Sequence, residues 1–279
     1  MKKTIRKKVK VFIPDLRNAG DQFNYDLLDY FHVRAEPVRI SAHAELLMLG
    51  GAISALQNPS RPVTNDLIHI WGSGFLFGDD LDEPLCRPNL MVHALRGRLS
   101  KEKLSGLMGV DLPADLPLAD PGLLASILAR PSKVKRYSIG FIPHFREQGT
   151  QEVERVLNTN KNMHFIDITL SPEEVIREIQ CCETIISSSL HGLVFSDSLG
   201  VPNVHVRITE LPKGGTFKYR DYYSAFGLSD PALSVDDICG IAPQEIKSYY
   251  SVKRSDVEEK KRQLIESFPK AFQSNRGNL

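Results

Sequence analysis

The sequence predicts an α/β protein of two similar-sized domains, each built on a parallel sheet. Three observations predict it. Short apolar runs end in glycine turns and alternate with helix-like stretches. Residues 137–206 read as β-α-β-α-β-α-β, the pattern of a doubly wound sheet. The 279 residues, 42% apolar and 25% charged, are enough for two medium cores.

The elements follow in order. Residues 9–13 alternate and are rich in valine and isoleucine, so they read as a first strand. A loop over 14–22 follows, then a helix over 23–31. The run 45–49 stops at Gly50-Gly51, and 53–56 looks helical. Residues 66–71 form a strand stopped by Gly72-Ser73-Gly74, and 89–95 another. Residues 100–107 read as a short helix with Ser100 as its N-cap. Pro113, Pro117, Pro121 and Pro131 then punctuate the chain around a helix-like piece, 123–129, and 129–133 is the expected linker. The domains are thus expected at 1–130 and 131–279.

In the second half, 137–143 is a strand, 149–157 a helix and 164–168 a strand. Ser171-Pro172-Glu173-Glu174 is a helix start: serine as cap, proline at the first position, glutamate completing a capping box. That helix runs to about Cys181. Residues 184–186 are a strand, 190–199 a helix and 203–206 a strand. The tail 255–268 reads as an amphipathic helix that packs on one domain or bridges both.

Charge and composition exclude several classes. With 35 Lys+Arg against 34 Asp+Glu, the chain lacks a nucleic-acid-binding charge balance. No apolar run approaches the ~20 residues of a membrane span. Cys86, Cys181, Cys182 and Cys239 form no C-x-x-C pair, so neither a disulfide framework nor a zinc site is expected. The basic start lacks a signal peptide's apolar region. A cytoplasmic protein is expected, with at most peripheral contact at the inner face of the membrane.

Chemistry is expected at strand-to-helix turns facing the cleft between domains. Ser187-Ser188-Ser189-Leu190-His191 joins a buried strand to a helix. Serine hydroxyls and first-turn N–H groups suit an anion, and His191 can bond phosphate or move a proton. The competing reading is a plain serine cap with a core histidine. His144 and Arg146 end another strand; the arginine fork suits a carboxylate, or is simply a surface arginine. Gly20, Asp21 and Asn24 follow the first strand: glycine admits close approach, and Asp21 either caps a helix or binds a sugar hydroxyl. Gly72, Ser73 and Arg96 follow first-half strands, where glycine is commonly plain turn chemistry and Arg96 is within reach of the cleft. The D-x-D at Asp80 and Asp82 is either a metal–nucleotide-sugar motif or a solvated acidic loop.

Taken together, these segments resemble the polysaccharide pyruvyl transferase family. The 187–202 stretch is similar to its most diagnostic segment. Asn18-Ala19-Gly20-Asp21, Gly72-Ser73-Gly74, Arg96-Gly97-Arg98-Leu99-Ser100, Ala119-Asp120-Pro121-Gly122, residues 137–146 and Lys218-Tyr219-Arg220-Asp221 follow in family-like order. Arg98 departs from a frequent family proline. The compact length looks most like the branch acting on exopolysaccharides such as succinoglycan. The resemblance implies a GT-B-like fold of two facing Rossmann-like domains. It also implies transfer of pyruvate from phosphoenolpyruvate to two hydroxyls of one sugar, free or lipid-linked, as a ketal. By that pattern Arg146 holds the donor carboxylate, with His144, Ser187, Ser188, Ser189 and Leu190 around the donor. A cationic His191 meets the phosphate and supplies a proton, and Asp21 or His144 is the base. Gly20, Asn24, Gly72, Ser73, Arg96 and Lys218 fall to the acceptor side or the cleft. No metal or further cofactor is implied. The alternatives are a nucleotide-sugar glycosyltransferase on the same fold, and a non-catalytic sugar- or phosphate-binding module.

Overall fold

The computed structural model describes residues 8–13, 18–57, 60, 63–78, 83–130, 134–160, 163–212 and 214–273. The first half supplies β1 (Val9–Phe12), α1 (Ala19–Tyr30), β2 (Ala35–Val38), β3 (Leu46–Leu47), β4 (Ile68–Trp71), β5 (Leu90–Ala94) and α2 (Arg98–Met108). The second supplies β6 (Tyr137–Ile142), α3 (Gln151–Thr159), β7 (Met163–Phe165), α4 (Pro172–Gln180), β8 (Cys182–Ser187), α5 (Leu190–Leu199), β9 (Asn203–Arg207), α6 (Phe217–Ser224), β10 (Leu233–Ser234), α7 (Val235–Ile238), α8 (Pro243–Tyr249) and α9 (Arg254–Ser267).

The strands form two five-stranded sheets, ordered β2-β1-β3-β4-β5 and β10-β9-β8-β6-β7, with parallel pairing throughout. Each sheet starts in its interior and steps outward both ways, so the winding direction reverses once. That reversal lies between β1 and β3 in the first sheet and between β6 and β8 in the second. The α/β class and the two parallel sheets are as the sequence predicts, and the arrangement agrees with a GT-B-like fold.

Helix caps follow local chemistry. Asn18 Oδ1 accepts the Asp21 N–H at 3.0 Å, so α1 starts at Ala19 rather than at residue 23, and Gly20 is helical. The Ser171–Glu174 capping box forms as expected, with Pro172 in the first position. Ser100 is not a cap: α2 starts at Arg98 behind Gly97, and Ser100 is buried. The 123–129 piece is part of a 3-10 helix, Pro121–Leu128, capped by Asp120. β2 escapes the sequence pattern because Pro37 sits in it; it is an edge strand, where proline is tolerated.

One hydrophobic core runs through both halves, from Val11 and Phe23 through Ile142 and Leu193 to Phe268. α9 bridges them. Trp71 Nε1 donates to Leu264 O at 3.0 Å, and Phe268 stacks on Phe31 with centroids 3.8 Å apart. Lys261 Nζ donates to Ser198 O at 2.8 Å on the other side. No helix among the described residues is long and apolar enough to cross a membrane. The expected linker residues 131–133, the acidic run 79–82 and the basic start 1–7 lie outside the described residues.

Candidate active site

In a doubly wound sheet, ligands bind beyond the carboxyl ends of the strands where the winding reverses, because the flanking connections diverge there and leave a crevice. In the second sheet that point is set by the turns after β6 and β8. These are the turns carrying His144 and Arg146, and the three serines. In the first sheet it lies past the carboxyl end of β1, where Gly20 stands in the first turn of α1. The two points meet. A Cβ on Gly20 would lie 1.8 Å from His191 Nδ1, so the backbone of α1 touches the imidazole.

The three serines have different roles. Ser187 is fully buried and committed to the backbone: its Oγ reaches Ile142 O at 2.8 Å and accepts the Ser189 N–H at 3.0 Å. Ser188 accepts the His144 N–H at 2.9 Å and donates to Glu147 Oε2. Ser189 is the N-cap residue of α5, but its side chain makes no capping bond. Its hydroxyl and the first-turn N–H groups of Leu190, His191 and Gly192 therefore form the donor set of the turn. The anion-site expectation is thus carried by Ser189 and the backbone; Ser187 and Ser188 shape the turn.

Glu147 was not apparent from the sequence. Its side chain is fully buried, and Oε1 accepts both the N–H and the hydroxyl of Thr209 at 2.9 Å. With Ser188 on its other oxygen, it ties the β6 turn, the serine turn and the loop after β9 together. A glutamate directly after Arg146 was the available signal, but sequence does not reveal that it is buried. Tyr219 adds a fourth tie: its OH donates to Ser188 O at 2.6 Å.

His144 lies at this turn within electrostatic reach of Lys218, Arg146 and His191. His191 is buried, and its Nε2 has no hydrogen-bond partner among the described residues. Burial pushes its pKa down to about 3, helped by the positive charges of Lys218 and Arg96. His144 is half-buried and pushed to about 3 by burial, then by Lys218, Arg146 and His191. Its Nδ1 accepts the Arg146 N–H at 3.2 Å, which places the neutral ring's proton on Nε2. The Arg146 side chain is exposed, with Cζ 5.7 Å from the Phe145 ring centroid. Burial and the neighbouring positive charges favour the neutral form of both imidazoles.

The first-half residues divide. Gly20 meets His191, as above. Asp21 is half-buried and accepts from Asn18 Nδ2 at 2.8 Å. Asn24 is buried; its Nδ2 donates to Asp21 O at 3.0 Å, and its Oδ1 lacks a partner among the described residues. Gly72 and Ser73 instead build a turn. Gly72 has φ +76°, and Ser73 Oγ links Gly50 O and the Ala52 N–H, each at 3.1 Å. Arg96, expected at the cleft, is fully buried and occupied. Its Nε donates to Asp221 Oδ2 at 2.8 Å and its Nη2 to Phe75 O at 2.5 Å. Asp221 also accepts from Ser100 N at 2.7 Å and Ser100 Oγ at 2.6 Å. This buried lock fastens α6 to the start of α2, and so one half to the other.

Beside the serine turn lies a small cavity of about 20 Å³, lined by Glu147, Ser188, His205, Thr209 and Tyr219. Through Arg207, Gly215 and Thr216 it adjoins an open groove of about 1000 Å³ between α2 and the segment leading into α6. Phe77, Glu102, Lys103, Phe217 and Arg220 line that groove.

Residues 119–209 match the family model described as polysaccharide pyruvyl transferase. The matched segment contains both turns of the second sheet's reversal point. The chain is 27% identical over 240 residues to the uncharacterized protein L143 of Acanthamoeba polyphaga mimivirus, covering 81% of this chain and 77% of that one. It is 25% identical over 215 residues to the succinoglycan biosynthesis protein ExoV of Rhizobium meliloti (strain 1021). That match covers 76% of this chain and 62% of ExoV, less than two thirds of the relative's length. A crystal structure of a functionally uncharacterized Klebsiella pneumoniae protein aligns with TM-score 0.42 and 15% identity, over 81% of this chain and 92% of that one. The family model bears out the resemblance to the polysaccharide pyruvyl transferases, and the ExoV match adds a relative in succinoglycan biosynthesis.

Proposed function

We propose that this chain transfers pyruvate from phosphoenolpyruvate onto two hydroxyls of one saccharide, releasing phosphate and forming a ketal. One observation carries the reading. Arg146, the Ser189 turn and His191 all lie just past the carboxyl ends of β6 and β8, a set that suits a ligand bearing both a carboxylate and a phosphate. Family likeness to pyruvyl transferases supports it.

Arg146 binds the donor carboxylate and orients it. Ser189 and the first-turn N–H groups of α5 take the phosphate, aided by the helix dipole. The donor's negative charge raises the His191 pKa, and the protonated ring passes its proton to the methylene carbon, which becomes a methyl group. The first sugar hydroxyl adds to the central carbon. The C–O bond to phosphate breaks, and the second hydroxyl closes the ketal. Of the two hydroxyl protons, one replaces the proton spent on carbon and the other leaves with phosphate.

Asp21 is the better base of the two candidates. His144 presents an N–H rather than a lone pair at Nε2, whereas a carboxylate only accepts. The open groove beside α2 is where a saccharide would lie, with Phe77 and Phe217 as apolar faces. Incubation of the enzyme with phosphoenolpyruvate and bacterial saccharides tests the proposal. The expected result is one phosphate released per pyruvylated product, with turnover falling ~100-fold or more in H191A and R146A. Phosphate release that never accompanies a pyruvylated product would overturn it.

A further inference from the structure

His191 Nε2 and Asp120 Oδ2 are both buried, and both lack a hydrogen-bond partner among the described residues. Asp120 caps the 3-10 helix Pro121–Leu128 and is fully buried; its other oxygen, Oδ1, accepts the Gly122 N–H at 2.8 Å. A carboxylate with an unpaired oxygen is costly in the interior and calls for an explanation. Burial raises the Asp120 pKa to about 6, which leaves it mostly ionised at pH 7.

The packing of the 3-10 helix on α5 brings the two residues to the same end. Ser126 N–H donates to Ser198 Oγ at 2.9 Å, and Ser198 Oγ donates to Leu123 O at 2.6 Å. Earlier in both helices, a Cβ on Gly122 would lie 2.9 Å from Val194 Cγ1, 3.4 Å from Phe195 Cε1 and 3.1 Å from Asp120 Oδ1. The helices thus run side by side in the same direction. Asp120, just before Gly122, falls level with the first turn of α5, which carries His191. The Phe195 ring is also packed towards His191, with centroids 5.9 Å apart. The charges that act on His191 from other elements, Lys218 on α6 and Arg96 after β5, are positive, and Arg96 is within reach of Asp120 too. Other buried carboxylates nearby are occupied: Asp221 by Arg96 and Ser100, Glu147 by Ser188 and Thr209.

From this pair of unpartnered atoms we infer that Asp120 is the positioning residue of His191: its Oδ2 accepts the Nε2 proton of the imidazolium through one bridging water. Nδ1, on the Gly20 side, is then the nitrogen that exchanges a proton with the donor. The inference rests on the reading of His191 as the proton source for phosphoenolpyruvate. The negative charge of Asp120 offsets the repulsion from Lys218 and Arg96 as the buried ring becomes charged. A carboxylate kept only to cap the 3-10 helix would need one oxygen, and an uncharged side chain would serve as well.

The test is nuclear magnetic resonance of imidazole-15N-labelled wild type, D120N and D120S, each saturated with phosphoenolpyruvate, with H191Q to identify the His191 signals. Asparagine keeps the volume and the bond to Gly122 while removing the charge; serine keeps only the cap. Unliganded D120N is expected to melt at or above the wild-type temperature, because it loses a buried, incompletely paired charge. Donor-bound His191 is expected to titrate at least about one pH unit lower in both variants than in wild type, a tenfold loss of proton affinity. In wild type the neutral ring is expected to carry its proton on Nε2. If wild type binds phosphoenolpyruvate and His191 titrates alike in all three proteins, the Asp120 assignment is wrong and the donor reading stands. If wild type does not bind phosphoenolpyruvate, both fall. If D120N and D120S both melt well below wild type, Asp120 is structural and the assignment is likewise overturned.

Discussion

The contact between Gly20 and His191 makes a sharp prediction. In G20A the new Cβ would sit 1.8 Å from Nδ1, 2.3 Å from Cγ and 2.5 Å from Cε1 of His191. Ordinary contact needs about 3.4 Å or more, so the ring must recede by roughly 1.6 Å or α1 must shift as far. Gly20 is helical and has no positive φ, so alanine suits the backbone and gains up to about 1 kcal/mol of helix propensity. Overpacking costs about 1–3 kcal/mol, so the net stability loss is small, about 0–2 kcal/mol. Catalysis is expected to suffer far more, because misplacing a reacting group by ~1 Å costs on the order of 100-fold in rate. Thermal unfolding and donor-dependent phosphate release measure the two effects. The double variant G20A/H191A removes the clash, so it is expected to melt like H191A and lose no further activity. G20A turnover within a few-fold of wild type would refute the reasoning, since the imidazole would then not be held where the chemistry occurs.

Other predictions follow from individual groups. D221A strips the buried Arg96 of its carboxylate while leaving the charge in place, which costs about 3–5 kcal/mol; a melting temperature on the order of 10 °C lower is expected, and a change within about 2 °C would contradict the lock. S187A leaves the Ser189 N–H without the Oγ acceptor it uses, costing about 1–3 kcal/mol of stability at the melting midpoint. S189A is expected to leave the melting temperature unchanged and weaken donor binding, and the reverse pattern would show that the two serines had been assigned the wrong way round. Donor binding is also expected to take up protons at pH 8. There His191, at about 3, is neutral and Lys218, at about 8, is about half deprotonated, and a bound anion raises both. The sign is therefore uptake, and affinity falls as pH rises through the bound-state values. Titrations in buffers of different ionisation enthalpy count the protons; zero uptake would mean that neither group faces the donor.

The second-half helices are legible in the sequence because their starts carry strong local signals. Ser171-Pro172-Glu173-Glu174 sets one helix start by itself, and Leu190–Leu199 has the bounds the sequence suggests. Weak or contrary signals hid the rest. α1 starts at residues that look like loop, because an asparagine cap and two small residues resemble a turn. β2 contains a proline, and α6 carries Lys218, Tyr219, Asp221, Tyr222 and Tyr223 buried on a charged-looking segment. That last case matters most for the site. Pattern reading places charged residues on the surface, so Arg96 looked like a cleft residue when it is buried in an ion pair. Nothing local marks Glu147 as buried, although three polar groups from two separate loops bond to it. Burial of a charge depends on partners far apart in sequence, as Arg96 and Asp221 are, and local periodicity does not encode it.

The most direct test of the donor reading is ligand-induced thermal stabilisation of wild type, R146A and H191A with phosphoenolpyruvate and, separately, with nucleotide sugars. A ligand that binds only the native state raises its melting temperature by linkage. The account predicts stabilisation of wild type by phosphoenolpyruvate, weakened in both variants, and no comparable effect of nucleotide sugars. Stabilisation by a nucleotide sugar alone, or by phosphoenolpyruvate equally in all three proteins, would contradict it.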